Sequence, residues 1–546
     1  MSDKLSQVEH IKMDSDGLRG TLKESLLDNF TGNVRPDDQV LVKFHGMYVQ
    51  DDRDRRAERA EKKLDKLYSF MIRLRIPGGV INAAQWVAVH QISEQYGTGT
   101  LKITTRQTLQ LHGLLKHQLR PTIQAFDLAQ LDSIAACGDV NRNVVCSSHP
   151  QLSPLYKQIF EYADKISGFL LPKTQSYYEV FIDGEKIYER SSEADPLYED
   201  RYLPRKFKIA IAIPPSNDVD VFTNDIGLIA IIEDNELKGF NIAVGGGLAT
   251  THGNPNTYSR LATIIGFVDT EEKIMKAVYQ VLTIQRDFGN REDRKFSRMK
   301  YTIDKMTVEG FKEELERRIG FELLPERPYT FTERTDRYGW QRNHEGKSFY
   351  TLFVEHGGVR PYQKQFLYEV ALLNISNFIF TCNQNLILGD ISEQDKITVQ
   401  ALIEKFGIDK ADSALRKNTM ACVALPTCPL ALAEAQRYLP ELVKKLEPIV
   451  EKYNLKEEEI VVRMTGCPNG CGRPYVAEMG FVGTGPGQYN LMLGGDRFGE
   501  RLNKLYKEKL DEPQILEEAD YLLNLYVNEK YEAETFGDFT YRKFYI

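Results

Sequence analysis

The chain has 546 residues, 42% of them hydrophobic, and a formal net charge of −8. This length exceeds one compact core, so three or four domains or half-domains are expected. The acidic balance does not indicate nucleic-acid binding, and no segment approaches the roughly 18 apolar residues that cross a bilayer.

The N-terminal residues lack the apolar core and the small-residue cleavage site of a signal peptide. Residues 51–67 are highly charged and are expected to form a helix with a solvated face. The seven cysteines are an odd number with four of them clustered, which argues against a disulfide framework. A cytoplasmic location is therefore expected, with no association with membranes.

The sequence contains a faint internal duplication. Residues 72–79 and 101–111 alternate in the manner of strands, and residues 83–97 between them have helical spacing and a terminal glycine. The run 101–113 aligns with 378–390 at one offset. The pattern predicts an α+β protein with a pseudo-two-fold axis, in which corresponding loops of the two halves converge on one cavity.

The first half offers basic residues to this predicted cavity. They are Arg73, Arg75, Arg106, Arg142, Arg205, Lys206 and Lys208. Any one of them alone would be interpreted as part of a surface ion pair, but their joint placement indicates anion binding. The second half offers cysteines, so one half would bind anions and the other a metal.

Four of these cysteines form two pairs in the last quarter of the chain. Five residues separate Cys422 from Cys428, and three separate Cys467 from Cys471. Four thiolates can hold zinc or a cubane iron–sulfur cluster. The stretch 429–453, which joins the pairs, is expected to be helical, with two prolines limiting or kinking it.

The other three cysteines, and the glycine-rich runs, have simpler interpretations. Cys137, Cys146 and Cys382 stand in apolar surroundings and are expected to be packed thiols. The runs VGGGLA (244–249) and VGTGPGQYN (482–490) predict glycine turns, because neither matches the dinucleotide-binding fingerprint.

The second cysteine pair carries a family resemblance. The run from Thr465 through Cys467 and Cys471 to Glu478-Met479-Gly480-Phe481 resembles the signature of the sirohaem-containing nitrite and sulfite reductases. Further blocks are similar to the haemoprotein subunits of the NADPH-dependent members. They include HGMYVQDDRDRRAERAEKKL (45–64), TTRQTLQLHG (104–113), GDVNRNVVC (138–146), YLPRKFK (202–208) and TIQRDFGNREDRK (283–295).

The resemblance implies a domain organisation. Residues 1–66 would be an N-terminal extension, and residues 67–130 and 344–410 would be ferredoxin-like half-domains. Residues 131–343 and 411–546 would be two α/β sirohaem-binding domains, of which the second also carries a [4Fe-4S] cluster.

The resemblance also implies residue roles. Cys422, Cys428, Cys467 and Cys471 would bind one [4Fe-4S] cluster, with Cys471 bridging it to the iron of sirohaem. Arg73, Arg142, Lys206 and Lys208 would line the distal face of the haem and contact substrate. Arg106, Gln110, Arg205 and Asn469 would help to hold the macrocycle.

The implied reaction is the six-electron reduction of sulfite to sulfide, in assimilatory sulfate reduction and cysteine biosynthesis. Because the chain has no flavin or nicotinamide fingerprint, the electrons would come from an NADPH-oxidising flavoprotein subunit, although ferredoxins serve relatives. The alternative is a nitrite reductase with the same cofactors, but those members tend to carry Asn where this chain has Lys208. A non-catalytic iron–sulfur carrier and a zinc-stabilised scaffold are the remaining alternatives.

Overall fold

The computed structural model describes residues 4–173, 195–408 and 413–546, and the backbone of 181–182 and 185–186. The N-terminal segment contains α1 (Gln7–Met13), α2 (Leu22–Leu27), α3 (Asp38–Leu41), β1 (Met47–Asp51) and α4 (Arg56–Glu61). No residue of α4 is buried, which confirms the predicted solvated helix over part of 51–67. In α1, by contrast, Lys12 is buried and its Nζ donates to the carbonyl of Leu203 at 2.8 Å.

The first half-domain has the strand and helix order that the sequence predicted. It comprises β2 (Tyr68–Arg73), β3 (Val80–Ile81), α5 (Ala83–Tyr96), β4 (Leu101–Ile103), β5 (Leu109–Leu114) and α6 (Leu119–Leu128). A capping box between Asn82 and Gln85 begins α5, which buries Trp86 and ends before Gly97. Strand β2 pairs antiparallel with β1 and β5, and β5 pairs antiparallel with β4.

A mixed sheet with helices follows. The elements of this region are β6 (Val145–Cys146), α7 (Tyr156–Phe169), β7 (Phe181–Ile182), β8 (Glu185–Lys186), β9 (Ile209–Ala212), β10 (Ile226–Glu233), β11 (Glu236–Val244), β12 (Thr263–Val268), α8 (Glu271–Phe288), α9 (Met299–Met306) and α10 (Val308–Ile319). Strands β7 and β8 form a separate two-stranded sheet. The sheet order is β12-β11-β10-β9-β6. Strands β6, β9 and β10 are parallel, and β11 and β12 continue antiparallel.

The second half-domain repeats the first and exchanges a strand with it. It comprises β13 (Gly339–Arg342), β14 (Ser348–Leu352), β15 (Gly358–Val359), α11 (Pro361–Leu373), β16 (Asn377–Phe380), β17 (Leu386–Ile391) and α12 (Glu393–Lys405). Strand β15 pairs with β4 of the first half, while β3 pairs with β16 of the second. Trp86 and Phe378 stack with ring centroids 5.0 Å apart, inside one core that both half-domains share.

The last part of the chain repeats the mixed sheet. Its elements are α13 (Ala414–Lys417), β18 (Thr419–Ala421), α14 (Leu439–Lys452), β19 (Val462–Thr465), β20 (Met479–Gly485), β21 (Gln488–Leu493), β22 (Lys504–Leu510), α15 (Glu512–Glu529) and α16 (Phe536–Tyr545). The order is β18-β19-β20-β21-β22, with the first three strands parallel and the others antiparallel. This repetition confirms the α+β, internally duplicated fold.

The helix expected over 429–453 is wrong in its first part, because only 439–452 is helical. The backbone N–H groups of Leu432 and Ala433 donate to the carbonyl of Gly466 at 2.7 and 3.0 Å, which ties this segment to the cysteine loop instead. The predicted turn within 482–490 is confirmed, since it joins β20 to β21.

The predicted domain limits stay predictions, and the limit at 410/411 falls in 409–412, outside the described residues. Over the part of the chain that is described, no helix combines the length and apolar character needed to span a membrane.

Candidate active site

A cleft with about 480 Å³ of empty space opens between the two halves. Its lining comprises Thr105, Arg106, Lys206, Lys208, Val219, Thr223, Asn224, Leu248, Ala249, Arg298, Asn469, Gly470, Cys471 and Arg473. These residues come from the turn after β4, the segment before β9, the loop before β10, the loop after β11, the start of α9 and the loop after β19. Loops of both halves therefore converge on one cavity, as the duplication predicted.

Arg106 lies on the tight turn between β4 and β5. Its guanidinium donates to Asn224 Oδ1 at 2.6 Å, to the Ile209 carbonyl at 3.0 Å and to the Asn143 carbonyl. Burial lowers its pKa to about 10, and its Nε is buried with no partner among the described residues. A further acceptor at the cleft would satisfy this Nε.

Lys206 and Lys208 lie next to each other in the cleft. Burial lowers the pKa of Lys206 to about 7, although the neighbouring Cys471 acts in the opposite direction. Burial, together with Lys206, Arg298 and Arg106, lowers the pKa of Lys208 well below its ordinary value. Desolvated cations that repel one another in this way are stabilised by a bound anion.

The carboxylate near these cations is already engaged. Asp225 accepts from Arg298 Nη2 at 3.0 Å and from the backbone N–H of Lys208 at 2.9 Å. Arg298 is the residue that precedes α9, and its buried Nε has no partner in the described chain. Asp225 is therefore occupied by Arg298 and does not neutralise the other cations of the cleft, which favours a polyanionic ligand.

A partly buried layer beside the cleft contains other predicted basic residues. Arg73 Nη1 lies 2.9 Å from Cys137 Sγ, and the oxygen of Gln110, with its amide turned toward Arg73, accepts from Arg73 Nε at 3.1 Å. Gln110 therefore contacts Arg73 and does not line the cleft itself. Arg205 also lies outside the lining, and burial lowers its pKa to about 10.

Arg142 lies in the same layer. Its Nε donates to the carbonyl of Gly138 at 2.9 Å, and its side chain is hydrogen-bonded to Tyr48. Burial acts against its charge, but Tyr48 and Cys137 outweigh burial and raise its pKa. Its charge acts on Arg106 and Lys206, which places it close to the cleft.

Arg75 departs from the expectation. Its guanidinium forms an ion pair with Asp132 at 2.5 Å and contacts Ser167 Oγ at 3.3 Å. A guanidinium that already has a carboxylate partner contributes little to binding another anion, so Arg75 does not belong to the basic group of the cavity.

The four clustered cysteines face one another at the edge of the cleft. Burial, followed by the charge of Cys471, raises the pKa of Cys428 to about 12 and that of Cys467 to about 11. The same two causes raise the pKa of Cys422. Cys471 itself is exposed and lines the cleft.

Hydrogen-bond donors surround these thiols. Thr465 Oγ1 and the N–H of Gly466 donate to Cys422 Sγ at 3.4 and 3.3 Å, and Asn469 Nδ2 donates to Cys467 Sγ at 3.4 Å. Gly466 admits no side chain, because a Cβ there would lie 2.5 Å from the carbonyl oxygen of Ala433. Thiolates that accept such bonds are typical iron–sulfur ligands.

The thiols do not form a site for a single ion. Across the described residues, no three side chains of His, Cys, Asp or Glu are grouped so that they could hold one metal ion. Four cysteines that act on one another's pKa without being grouped around a single ion are compatible with a polynuclear cluster. The remaining cysteines, Cys137, Cys146 and Cys382, are buried, as predicted.

Three residues at the cleft or near the clustered cysteines were not predicted from the sequence. Arg298 and Arg473 line the cleft, and Arg473 pairs with Asp220 at 2.8 Å. Arg53 Nη1 donates to the carbonyl of Ala431 at 2.6 Å, which attaches the N-terminal segment to the segment that follows Cys428. Position 53 is therefore not part of a purely solvated face. The position of Arg473 beside the cysteine signature was a usable signal, whereas Arg298 had none.

The chain is similar to known proteins over its full length. Residues 62–129 match the family model of the nitrite/sulfite reductase ferredoxin-like half domain, and residues 162–323 match that of the nitrite and sulphite reductase 4Fe-4S domain. A sulfite reductase [NADPH] hemoprotein beta-component from Leptospira biflexa is 57% identical, over 99% of this chain and 98% of the relative. One from Bacillus pumilus is 50% identical, over 98% and 95%.

A solved structure has the same fold. The NirA protein of Mycobacterium tuberculosis superposes with a TM-score of 0.80 at 24% sequence identity, over 99% of this chain and 97% of that one.

Proposed function

Because the chain belongs to the nitrite and sulfite reductase family, we propose that it catalyses the reduction of sulfite to sulfide. It does so with sirohaem and a [4Fe-4S] cluster, as the haemoprotein subunit of an NADPH-dependent enzyme. One observation carries this conclusion. Cys471 connects the group of four cysteines to a buried cationic cleft, so a cluster and a polyanionic macrocycle would meet at this residue.

The residues present fit both groups. The four cysteines supply the thiolates of a cubane cluster, with N–H donors beside Cys422 and Cys467. Sirohaem carries eight carboxylates, and the cations of the cleft match them in sign. We assign Arg106, Arg205, Gln110 and Asn469 to holding the macrocycle, and Gln110 also orients Arg73.

When bound, sirohaem and the cluster supply the redox chemistry, which requires six electrons for each sulfite. The protein's own side chains supply positive charge and protons to the substrate. We assign Arg73, Arg142, Lys206 and Lys208 to the substrate. An arginine presents a rigid fork of donors to the oxygens of sulfite, while a lysine holds one transferable proton at Nζ.

Proton delivery follows from the electrostatics of Lys206. Its pKa lies near 7 when burial dominates, and a nearby anion raises the pKa of a lysine. The bound anions therefore keep Nζ protonated near neutral pH, and the loss of substrate oxygens as water draws protons from it. A lysine that is held protonated beside the substrate in this way can act as a general acid.

The electrons must come from another protein. The chain contains no dinucleotide-binding fingerprint. We propose an NADPH-oxidising flavoprotein subunit as the donor. Mixing this subunit with the purified chain should support NADPH-dependent sulfite reduction. If reduced ferredoxin supports sulfite reduction at a higher rate than the flavoprotein does, ferredoxin would be assigned as the donor instead.

An absorption spectrum combined with turnover tests the proposal. The purified protein should absorb in the red and near-ultraviolet as a sirohaem protein does, and contain iron and acid-labile sulfide. With reduced methyl viologen, kcat/KM for sulfite should exceed that for nitrite. A colourless or merely brown protein, or one that prefers nitrite, would refute it.

A further inference from the structure

A buried lysine that does not line the cleft lies near the cysteine group. Lys102 belongs to β4 and pairs with Gly358 of the exchanged strand β15. Its side chain is buried, and Nζ donates to the carbonyl of His356 at 2.5 Å and to Gln436 Oε1 at 2.6 Å. It therefore joins both half-domains to the cysteine-bearing domain.

The surroundings of this ammonium are unusual for a buried lysine. Buried lysines are normally paired with a carboxylate, as Lys364 is with Glu94 at 2.5 Å. In the described chain the ionisable group that acts on Lys102 is Cys422, whose charge raises a pKa that burial lowers to about 7. The charge that acts on the Lys102 ammonium within the described chain is thus that of a cysteine and not of a carboxylate.

A short path of hydrogen bonds connects the two residues. The backbone N–H of Gln436 donates to the carbonyl of Cys422 at 3.1 Å, and the side chain of the same glutamine accepts from Lys102. Gln436 holds the ammonium beside Cys422 without placing it on the sulfur.

His356 adds no competing charge. Its ring is buried, and neither ring nitrogen has a partner within the described residues. Burial, followed by Lys102, Arg416 and Arg360, lowers its pKa to about 3, so it is neutral at physiological pH. His356 therefore contributes no charge beside Lys102.

We propose that the ammonium of Lys102 raises the reduction potential of the [4Fe-4S] cluster held by Cys422. One-electron reduction adds a negative charge at the cluster, and a cation attracts that charge more strongly in the buried interior than it would in water. Lys102 does not line the cleft, so the proposal concerns electron transfer and not substrate binding. The inference rests on the proposed function only in taking the cluster as resident.

Substitution of Lys102 tests this inference in the holoenzyme. An EPR-monitored potentiometric titration measures the midpoint potential of the cluster, and iron and acid-labile sulfide show that the cluster is intact. Lys102→Met should lower the ratio of reduced to oxidised cluster at a fixed potential at least tenfold, which is about 59 mV for one electron. Lys102→Arg retains the charge and should stay close to the wild type.

A matched control removes the same charge elsewhere in the first half-domain. Lys116 is also largely buried, but it donates to the Asn33 carbonyl at 2.9 Å and faces Asp28 in place of a cysteine. Lys116→Met should leave the midpoint potential unchanged. If Lys102→Met does not assemble a cluster, Lys102→Gln, which keeps a donor for His356, replaces it in the comparison.

Two results would overturn the inference. The first is a neutral variant at position 102 with a full complement of iron and the wild-type potential. The second is an equal shift in Lys102→Arg and Lys102→Met, which would assign the effect to geometry. Neither result bears on sulfite reduction itself, whereas a wild-type protein without the EPR signal of a cluster would refute the proposed function.

Discussion

Replacing Arg142 with alanine tests the anion site that adjoins the cleft. The guanidinium donates to the carbonyls of Gly138 and Ala136 at 2.9 and 3.3 Å, which leaves further N–H groups for an oxyanion. One charge-assisted hydrogen bond to substrate contributes about 1.5–3 kcal/mol. At about 1.4 kcal/mol per factor of ten, its loss should lower kcat/KM for sulfite roughly ten- to a hundredfold.

The loop should remain folded in this variant. The backbone N–H of Arg142 donates to the Phe207 carbonyl at 2.8 Å, and Asn143 Nδ2 donates to the Ile76 carbonyl at 2.7 Å. Methyl-viologen-driven sulfite reduction, normalised to sirohaem content, measures the effect. Arg75→Ala is the matched control, because Arg75 is paired with Asp132 and should leave kcat/KM unchanged.

Turnover of sulfite by Arg142→Ala at the wild-type rate would show that the substrate binds elsewhere. Loss of sirohaem from the variant would reassign Arg142 from substrate to cofactor.

Three further predictions follow from the same site. Changing any of the four clustered cysteines to serine should remove most iron, acid-labile sulfide and activity together, while Cys146→Ser keeps all three; iron retained in Cys471→Ser would refute the ligand set. Lys208→Asn should lower the sulfite-to-nitrite ratio of kcat/KM about ten- to a hundredfold, because one charge-assisted contact is lost; an unchanged ratio would remove Lys208 from the specificity. In cofactor-free protein, burial lowers the pKa of Lys206 to about 7 from 10.5, so the unfolded state binds more protons above pH 7. The wild type should therefore gain stability over Lys206→Met between pH 7 and 8 in urea denaturation, and parallel pH profiles would contradict this.

Much of the architecture could be predicted from local patterns. The alternation of 101–111 and the helical spacing of 83–97 are properties of short segments, and the repeat at 378–390 predicted the duplication. The exchange of β3 and β15 between the half-domains could not be predicted. It depends on pairing between segments far apart in sequence, which no local pattern specifies.

The residues of the site likewise include some that local patterns predicted and others that they did not. Lys206, Lys208, Asn469 and Cys471 lie in motifs, and the structure brings them together around the cleft. Arg298 and Lys102 belong to an ordinary helix start and an ordinary strand, and only the folded chain shows what faces them. The segment 429–438 has helical composition, but hydrogen bonds to the cysteine loop determine its conformation.

The electron stoichiometry tests the central claim most directly. The purified holoenzyme is given limiting sulfite and excess reduced methyl viologen, and both the oxidised viologen and the sulfide are measured. Six electrons consumed and one sulfide formed for each sulfite is the predicted result. Substantially fewer electrons per sulfite, or consumption of sulfite without sulfide, would contradict the assignment of this chain as a sulfite reductase.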